Sequence, residues 1–223
     1  NGRLISQASS MNQRLLDYFD QLETSMLQFG NAPLSVLALA CTGSSYLMGR
    51  EKEAQWVNAW QARLNIPVVT AGRAVAAALQ ALGVRRLDLL SPYPSDLTQA
   101  SMAYWISHGF DIGTVQSVHA SNPGFHAIYT TSSESANNAA QALRTSSADA
   151  ILMLGTGMPS LKTLLIQRGR TGPPWLSSML ALMWQSVATI PNTPLEPADL
   201  PTWLDAGHWA DRAQAMGIAP TAT

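Results

Sequence analysis

The apolar residues Leu15, Phe19, Leu22, Met26 and Phe29 recur at alternating steps of four and three, which predicts one face of an amphipathic helix that Gly30 can stop. Leu34 to Ala40 is instead a continuous apolar run, as expected of a strand covered on both faces. It breaks into Cys-Thr-Gly-Ser-Ser at 41–45, so polar chemistry begins where the strand stops and the next helix opens. The alternation then repeats. Ile66 to Val69 reads as a strand, Thr70 as a helix cap, and Val75, Ala78, Leu79 and Leu82 as a core stripe closed by Gly83. Leu87 to Leu90 is the next strand and runs into Ser-Pro-Tyr-Pro-Ser at 91–95, where Ser95 can cap a helix ending near Gly109. Thr114 to Val118 is strand-like and leads to a polar loop around Asn122, Pro123 and Gly124; Ser133 can cap a helix to about Arg144. Ile151 to Leu154 delivers Gly-Thr-Gly-Met-Pro at 155–159, after which Ser160 caps a helix carrying Leu161, Leu164 and Leu165. Trp175 to Ser177 is short and extended, and the prolines beyond Pro191 predict an extended wrap into a short terminal helix.

Strands alternating with helices in this way predict an α/β fold of parallel βαβ units. Leu-Ala-Cys-Thr-Gly at 39–43 and Met-Leu-Gly-Thr-Gly at 153–157 echo each other, each ending an apolar strand and opening a helix. Two equivalent strand ends suggest two pseudo-symmetric lobes, each with a short, mainly parallel sheet flanked by helices. The expected division is residues 1–84 with 178–223 in one lobe and 85–177 in the other. Ligands of open α/β sheets sit beyond the carboxyl ends of strands, so the paired loops are expected to face one cleft.

Composition narrows the partners. Apolar residues make up 47% of the 223, enough for a core, whereas 13 basic and 14 acidic side chains leave a formal charge of −1. No basic field exists for nucleic acid or anionic lipid. The longest nearly apolar stretches, Leu34 to Cys41 and Pro174 to Trp184, fall short of the roughly 20 residues that a membrane helix needs. A single cysteine excludes an internal disulfide framework and a multi-cysteine zinc site, and a lone thiol suits a reducing, cytoplasmic setting. The chain begins at Asn1 without an initiator Met, so a leading segment is expected to be missing.

Cys41 carries the sharpest chemical context. A thiol at a strand end, ahead of a helix and beside small hydroxyl residues, meets backbone N–H donors that can hold an anion. The opposing reading is a buried, inert cysteine, a common fate of free thiols. Familiar motifs fail around it. A cysteine-phosphatase loop needs Arg where Leu47 stands, no serine has the Gly-x-Ser-x-Gly frame, and Gly155-x-Gly157 lacks the third glycine of a dinucleotide fingerprint. The only lysines, Lys52 and Lys162, form no Walker motif. His108, His119, His126 and His208 show no ligand spacing and read as ordinary surface or core histidines. Trp56 and Trp60, at helical spacing, read as packing. Tyr93 is held between Pro92 and Pro94 just past a strand end, where its phenol can either donate to an anion or pack.

Ala-Cys-Thr-Gly-Ser-Ser-Tyr at 40–46, Pro-Val-Val-Thr at 67–70, Ala-Leu-Gly-Val-Arg-Arg at 81–86, Pro-Tyr-Pro at 92–94 and Leu-Ser-Ser at 176–178 together resemble the aspartate/glutamate racemase superfamily. The nearest likeness is to its arylmalonate decarboxylase and maleate isomerase branch, over about residues 30–190. The resemblance implies two α/β lobes around one site, no metal, no organic cofactor, and a small carboxylic or dicarboxylic acid as substrate; a homo-oligomer is compatible with it. Racemases of this type use two cysteines, one per lobe, and the decarboxylase resembles a racemase whose first cysteine is glycine. Cys41 occupies the first position here, while Gly155, or by a one-residue shift Thr156, stands in the second. Neither can readily remove a carbon-bound proton, so two-base racemization is disfavoured.

By the same resemblance Thr42, Gly43, Ser44, Tyr93, Gly155, Thr156 and Gly157 surround the substrate, and donors from Thr42, Gly43, Thr156, Gly157 and Tyr93 form an anion hole. A single thiol suffices for decarboxylation of a disubstituted malonate, which needs one proton delivery, with Cys41 as donor. A thiolate there suits nucleophilic addition to an unsaturated diacid, as in maleate isomerization; that, or a racemase-type isomerization with Cys41 as nucleophile or base, is the alternative reading. A cysteine introduced at Gly155 is expected to restore racemization. The superfamily's first strand contributes further anion contacts, and nothing before Leu15 resembles it, so a non-catalytic carboxylate-binding protein is the third reading.

Overall fold

A computed structural model describes residues 6–29, 32–119, 127–193, 195–206 and 208–218. The chain forms α1 (Met11–Asp20), α2 (Leu22–Leu27), β1 (Leu37–Leu39), α3 (Thr42–Met48), α4 (Arg50–Leu64), β2 (Val68–Thr70) and α5 (Ala71–Ala81). It continues through β3 (Arg86–Ser91), α6 (Ser95–Ser107), β4 (Asp111–Ser117), α7 (Ser133–Ala140), β5 (Ala150–Met153), α8 (Leu161–Gln167) and β6 (Trp175–Ser177). The last helices are α9 (Ser178–Ala188), α10 (Leu200–Ala206) and α11 (His208–Ala215). The strands form two parallel sheets flanked by helices: β1 beside β2, and a four-stranded sheet in the order β4-β3-β5-β6. This is the α/β class that the strand–helix alternation predicts.

The core follows from the apolar runs. Leu87, Leu89 and Leu90 of β3 and Ile151, Leu152 and Met153 of β5 are fully buried, as strands covered by helices on both faces must be. Asp88 is buried in the middle of β3, where its carboxylate accepts the Thr114 N–H at 2.6 Å and the Ser146 hydroxyl at 2.6 Å. Those bonds offset the cost of a polar group in that layer. After β6, α9 packs along α5 and against β1 and β2, so the chain returns from the larger sheet to the smaller one. Its Leu180, Ala181, Leu182 and Trp184 are buried, which explains why the stretch ending at Trp184 is so apolar.

Several boundaries differ from the sequence reading. The first helix is broken at Gln21 into α1 and α2. Only Leu37–Leu39 of the run 34–40 are strand, because β1 can pair only as far as the three residues of β2 reach. Pro94, not Ser95, is the N-cap of α6, and Ser132, not Ser133, caps α7 by accepting the Ser135 N–H. Ser160 sits at the N-cap of α8 without a side-chain cap bond. The loop around Asn122, Pro123 and Gly124 and the side chain of His126 lie outside the described residues. Much of the proline-rich tail is helical rather than extended, since Leu200 and Leu204 turn toward the core. Thr70 does cap α5 through the Arg73 N–H, at 3.3 Å. No helix among the described residues is long and apolar enough to cross a membrane.

Candidate active site

The carboxyl ends of β1, β3 and β5 lead into the segments at 40–45, 91–95 and 154–159, and these meet. Cys41 is the N-cap of α3, with extended backbone, so its side chain stands at the first turn of that helix. Its Sγ lies 3.1 Å from the Ser44 hydroxyl one turn on. Thr42, fully buried, shares a 2.9 Å hydrogen bond with the Tyr93 phenol, which joins the first turn of α3 to the loop after β3. From the β5 side, the Thr156 hydroxyl donates to the Ala40 carbonyl at 2.8 Å, tying the third segment to the residue before Cys41. A Cβ built on Gly155 would stand 3.2 Å from the Tyr93 oxygen, which places Gly155 against the same phenol.

Two hollows open here. One, of about 80 Å³, is lined by Cys41, Thr42, Gly43, Tyr93, Thr156 and Gly157, with Tyr129 and residues of α1. The other, of about 680 Å³, meets Cys41, Ser44 and Thr156 at its polar end and is otherwise walled largely by apolar side chains such as Leu22, Met26, Phe29, Leu37 and Leu39. Ser44 thus faces the larger hollow, and Gly155 lines neither. Burial holds the Tyr93 phenol well above its usual pKa; the Thr42 bond opposes this and the nearby Cys41 adds to it. Tyr93 is therefore a neutral O–H donor at any pH where the protein is handled.

Two glycines have structural reasons to be glycine. Gly155 has φ +85°, and a Cβ there would meet Ile128 at 2.7 Å and Pro92 at 3.1 Å. A Cβ on Gly43 would come within 2.7 Å of Leu15, so the bare backbone at 43 is what lets α1 sit on the turn. Sequence reasoning missed that α1 covers the site: Arg14, Leu15 and Tyr18 line it, as does Tyr129 of the 3₁₀ turn Ala127–Thr130. The helical periodicity at Leu15 signals a buried face without saying what that face covers. His108 lies elsewhere, packed against the Tyr104 ring at 4.7 Å, and His119 is exposed. Among the described residues, no group of three or more His, Cys, Asp or Glu side chains could hold a metal ion.

A family model described as arylmalonate decarboxylase matches residues 8–199. The chain belongs to that family. The structure is also similar to a cysteine-to-serine mutant of Nocardia farcinica maleate cis-trans isomerase with a covalently bound succinylcysteine intermediate (TM-score 0.74, 22% identity, covering 85% of this chain and 78% of that one). It resembles the maleate isomerase Iso from Pseudomonas putida S16 (TM-score 0.75, 21% identity, 89% and 82% covered). A third likeness is to a liganded arylmalonate decarboxylase mutant carrying one glycine-to-cysteine and one cysteine-to-serine change (TM-score 0.73, 22% identity, 85% and 79% covered). No curated protein matches in sequence. At these identities the solved structures establish the fold. The family and these neighbours are decarboxylase and isomerase enzymes of the aspartate/glutamate racemase superfamily.

Membership in the arylmalonate decarboxylase family makes a second thiol worth testing at both Gly155 and Thr156, and the backbone distinguishes the two positions. At φ +85° any side chain is strained, and a cysteine would strike Ile128. Gly155→Cys is expected to lower stability by about 1–3 kcal/mol without gaining racemization. Thr156, which already reaches across to Ala40, is the better site. Thr156→Cys is expected to introduce α-proton exchange that Gly155→Cys lacks, read by deuterium incorporation into a chiral product acid; exchange in the Gly155 variant alone would reverse the assignment.

Proposed function

We propose that this member of the family is a cofactor-independent decarboxylase of a disubstituted malonate, with Cys41 as its single proton donor and the cleft between residues 1–84 plus 178–223 and residues 85–177 as its site. The observation that carries the reading is the position of Cys41. Its thiol stands where a cluster of neutral hydroxyls gives way to a large, mostly apolar hollow. A carboxylate fits the hydroxyls of Thr42 and Tyr93 and the backbone N–H groups of Gly43 and Gly157; an aryl or alkyl substituent fits the hollow. The bond from the α-carbon to the second carboxylate breaks, CO2 leaves, and its electron pair flows into the retained carboxylate as an enediolate. The Cys41 S–H then protonates the α-carbon from one face, and water returns a proton to the sulfur. Preorganised donors aimed at the developing oxyanion favour this charge movement. With its donor in the first lobe, the enzyme is expected to give the product hand opposite to that of a family member using the second-lobe cysteine on the same bound orientation.

One observation favours a second reading, cis–trans isomerization of a maleate-like diacid. The Nocardia neighbour holds a succinylcysteine although one of its cysteines is serine, so covalent addition in this fold does not need every thiol. NMR in D2O with phenylmalonate, maleate and aspartate separates the chemistries. CO2 loss with deuterium on one face of a single enantiomer supports decarboxylation, and racemic product counts against it. Fumarate from maleate would replace it with the second reading, and binding without turnover would leave a carboxylate-binding protein.

A further inference from the structure

A cleft of about 450 Å³ opens between α4, β2, α5 and α9, and none of the residues that line it borders either hollow at Cys41. Val68 of β2 and Ala74 and Ala77 of α5 give it small apolar sides. Arg50 of α4, Arg73 of α5 and His108, just past the end of α6, bring polar groups to it. Among the described residues no Asp or Glu lines it.

The two guanidinium groups converge on His108. The Arg50 Nη1 donates to the carbonyl of Ser107, the neighbour of His108, at 2.6 Å. Burial, and then the charges of Arg50 and Arg73, push the His108 imidazole down to about 4, so a neutral ring stands beside two cations. Its Nε2 is buried with no hydrogen-bond partner among the described residues, an uncommon state for a polar atom. Gln61, also on the cleft, accepts the Val68 N–H at 3.1 Å through its Oε1, which leaves its NH2 group to donate elsewhere. The arginines do not balance acids. The one ion pair among the described residues joins Arg63 to Glu23. Glu51 and Glu53 share the first turn of α4 with Arg50, but Glu53 is fully buried and takes its bonds from Ser45 and Tyr104. Arg73 stands in the first turn of α5, where a cation works against the helix dipole and no acid offsets it. Gathering these charges costs energy that a bound anion would recover.

We propose that this cleft binds a small molecule bearing a phosphate group, at a site separate from Cys41. A tetrahedral phosphate offers three terminal oxygens, enough for two guanidinium forks and the Gln61 amide at once, whereas a single carboxylate offers two. The cleft falls within the roughly 300–1,000 Å³ of small-molecule sites, so the organic part of the ligand has room against Val68 and the alanines. Both arginines are exposed, so salt screens their attraction and affinity falls as ionic strength rises. The site stands whichever reaction Cys41 performs.

The test is titration calorimetry of the full chain with inorganic phosphate at low ionic strength, for wild type, Arg50→Gln and Arg73→Gln. A thermal melt of each checks folding, and NMR follows the His108 ring of wild type through the same titration. Loss of a charge-assisted contact is expected to weaken phosphate binding roughly tenfold or more in each variant. The His108 signals should move as phosphate is added. Phosphate held at the Cys41 hollows would be indifferent to both substitutions, since neither arginine lines them. The inference is overturned by wild type that binds no phosphate, by wild-type affinity in either folded variant, or by His108 signals that stay in place. Arg50→Gln gives up the bond to Ser107; should it fail to fold, Arg73→Gln, at an exposed position of α5, decides alone.

Discussion

Cys41→Ala is expected to lower turnover of the true substrate by about a hundredfold to ten-thousandfold while leaving the fold intact. The magnitude follows from removing a positioned proton donor, which contributes roughly a hundredfold to ten-thousandfold, with no replacement at hand. The Ser44 hydroxyl lies 3.1 Å from the sulfur, and Thr42, Tyr93 and Thr156 line the same hollow as Cys41. The Tyr93 phenol is held above its usual pKa by burial and is committed to Thr42, so it is too weak an acid to substitute. The fold should persist because the thiol is only half-buried and makes its bond to Ser44, which can turn to water. Cys41→Ser separates the candidate chemistries. A serine hydroxyl is a far poorer acid and nucleophile than a thiol, so neither decarboxylation nor covalent addition should survive it. Product formation followed by NMR, with circular dichroism as the control for folding, checks both variants. Turnover by the alanine variant within tenfold of wild type would take Cys41 out of the reaction.

The turns proposed to carry the chemistry were legible because they sit where apolar runs stop. The run ending at Ala40, the one ending at Leu90 and the one ending at Leu154 each hand over to small or hydroxyl residues, and the folded chain brings those three segments together. Period-two and period-3.6 patterns identify buried faces well. They do not say what a buried face covers, which is why α1 read as an ordinary amphipathic helix although Leu15 rests on Gly43 and Arg14 lines the hollow. Gly155 shows the same limit from the other side. A resemblance can align it with a catalytic position, but only the backbone reveals the left-handed conformation, φ +85°, that resists a side chain there. Strand ends suffered as well, since β1 extends only as far as its partner allows. A buried polar residue such as Glu53 left no trace in the pattern at all, because a carboxylate in the first turn of a helix reads as a solvated face.

Glu53→Ala is expected to lower stability by about 3–5 kcal/mol, as much as truncating a large core side chain. Its side chain is fully buried in the first turn of α4. One carboxyl oxygen accepts the Ser45 hydroxyl of α3 at 2.6 Å, and the other accepts the Tyr104 phenol of α6. The cluster is tight enough that a Cβ on Gly72 of α5 would come within 2.7 Å of the Tyr104 oxygen and 2.8 Å of Ser45. Four helices therefore converge on one carboxyl group. Truncation strands two buried hydroxyls, each costing about 1–3 kcal/mol when unpaired, and opens a void that the packed glycine face cannot fill. Glu53→Gln keeps the volume and one good acceptor, so it should cost only about 1–2 kcal/mol. For a chain of this size the alanine variant should melt roughly 10 °C below wild type, with the glutamine variant between them, and urea unfolding should rank them the same way. The effect should reach the site too. Tyr46, on α3, packs edge-on against Tyr104 at 5.4 Å and against Tyr93 at 6.1 Å, so a loosened Tyr104 disturbs the phenol that bonds Thr42. An alanine variant as stable as wild type would mean that water enters and satisfies both hydroxyls, and the core around Glu53 would then be far less closed than its burial indicates.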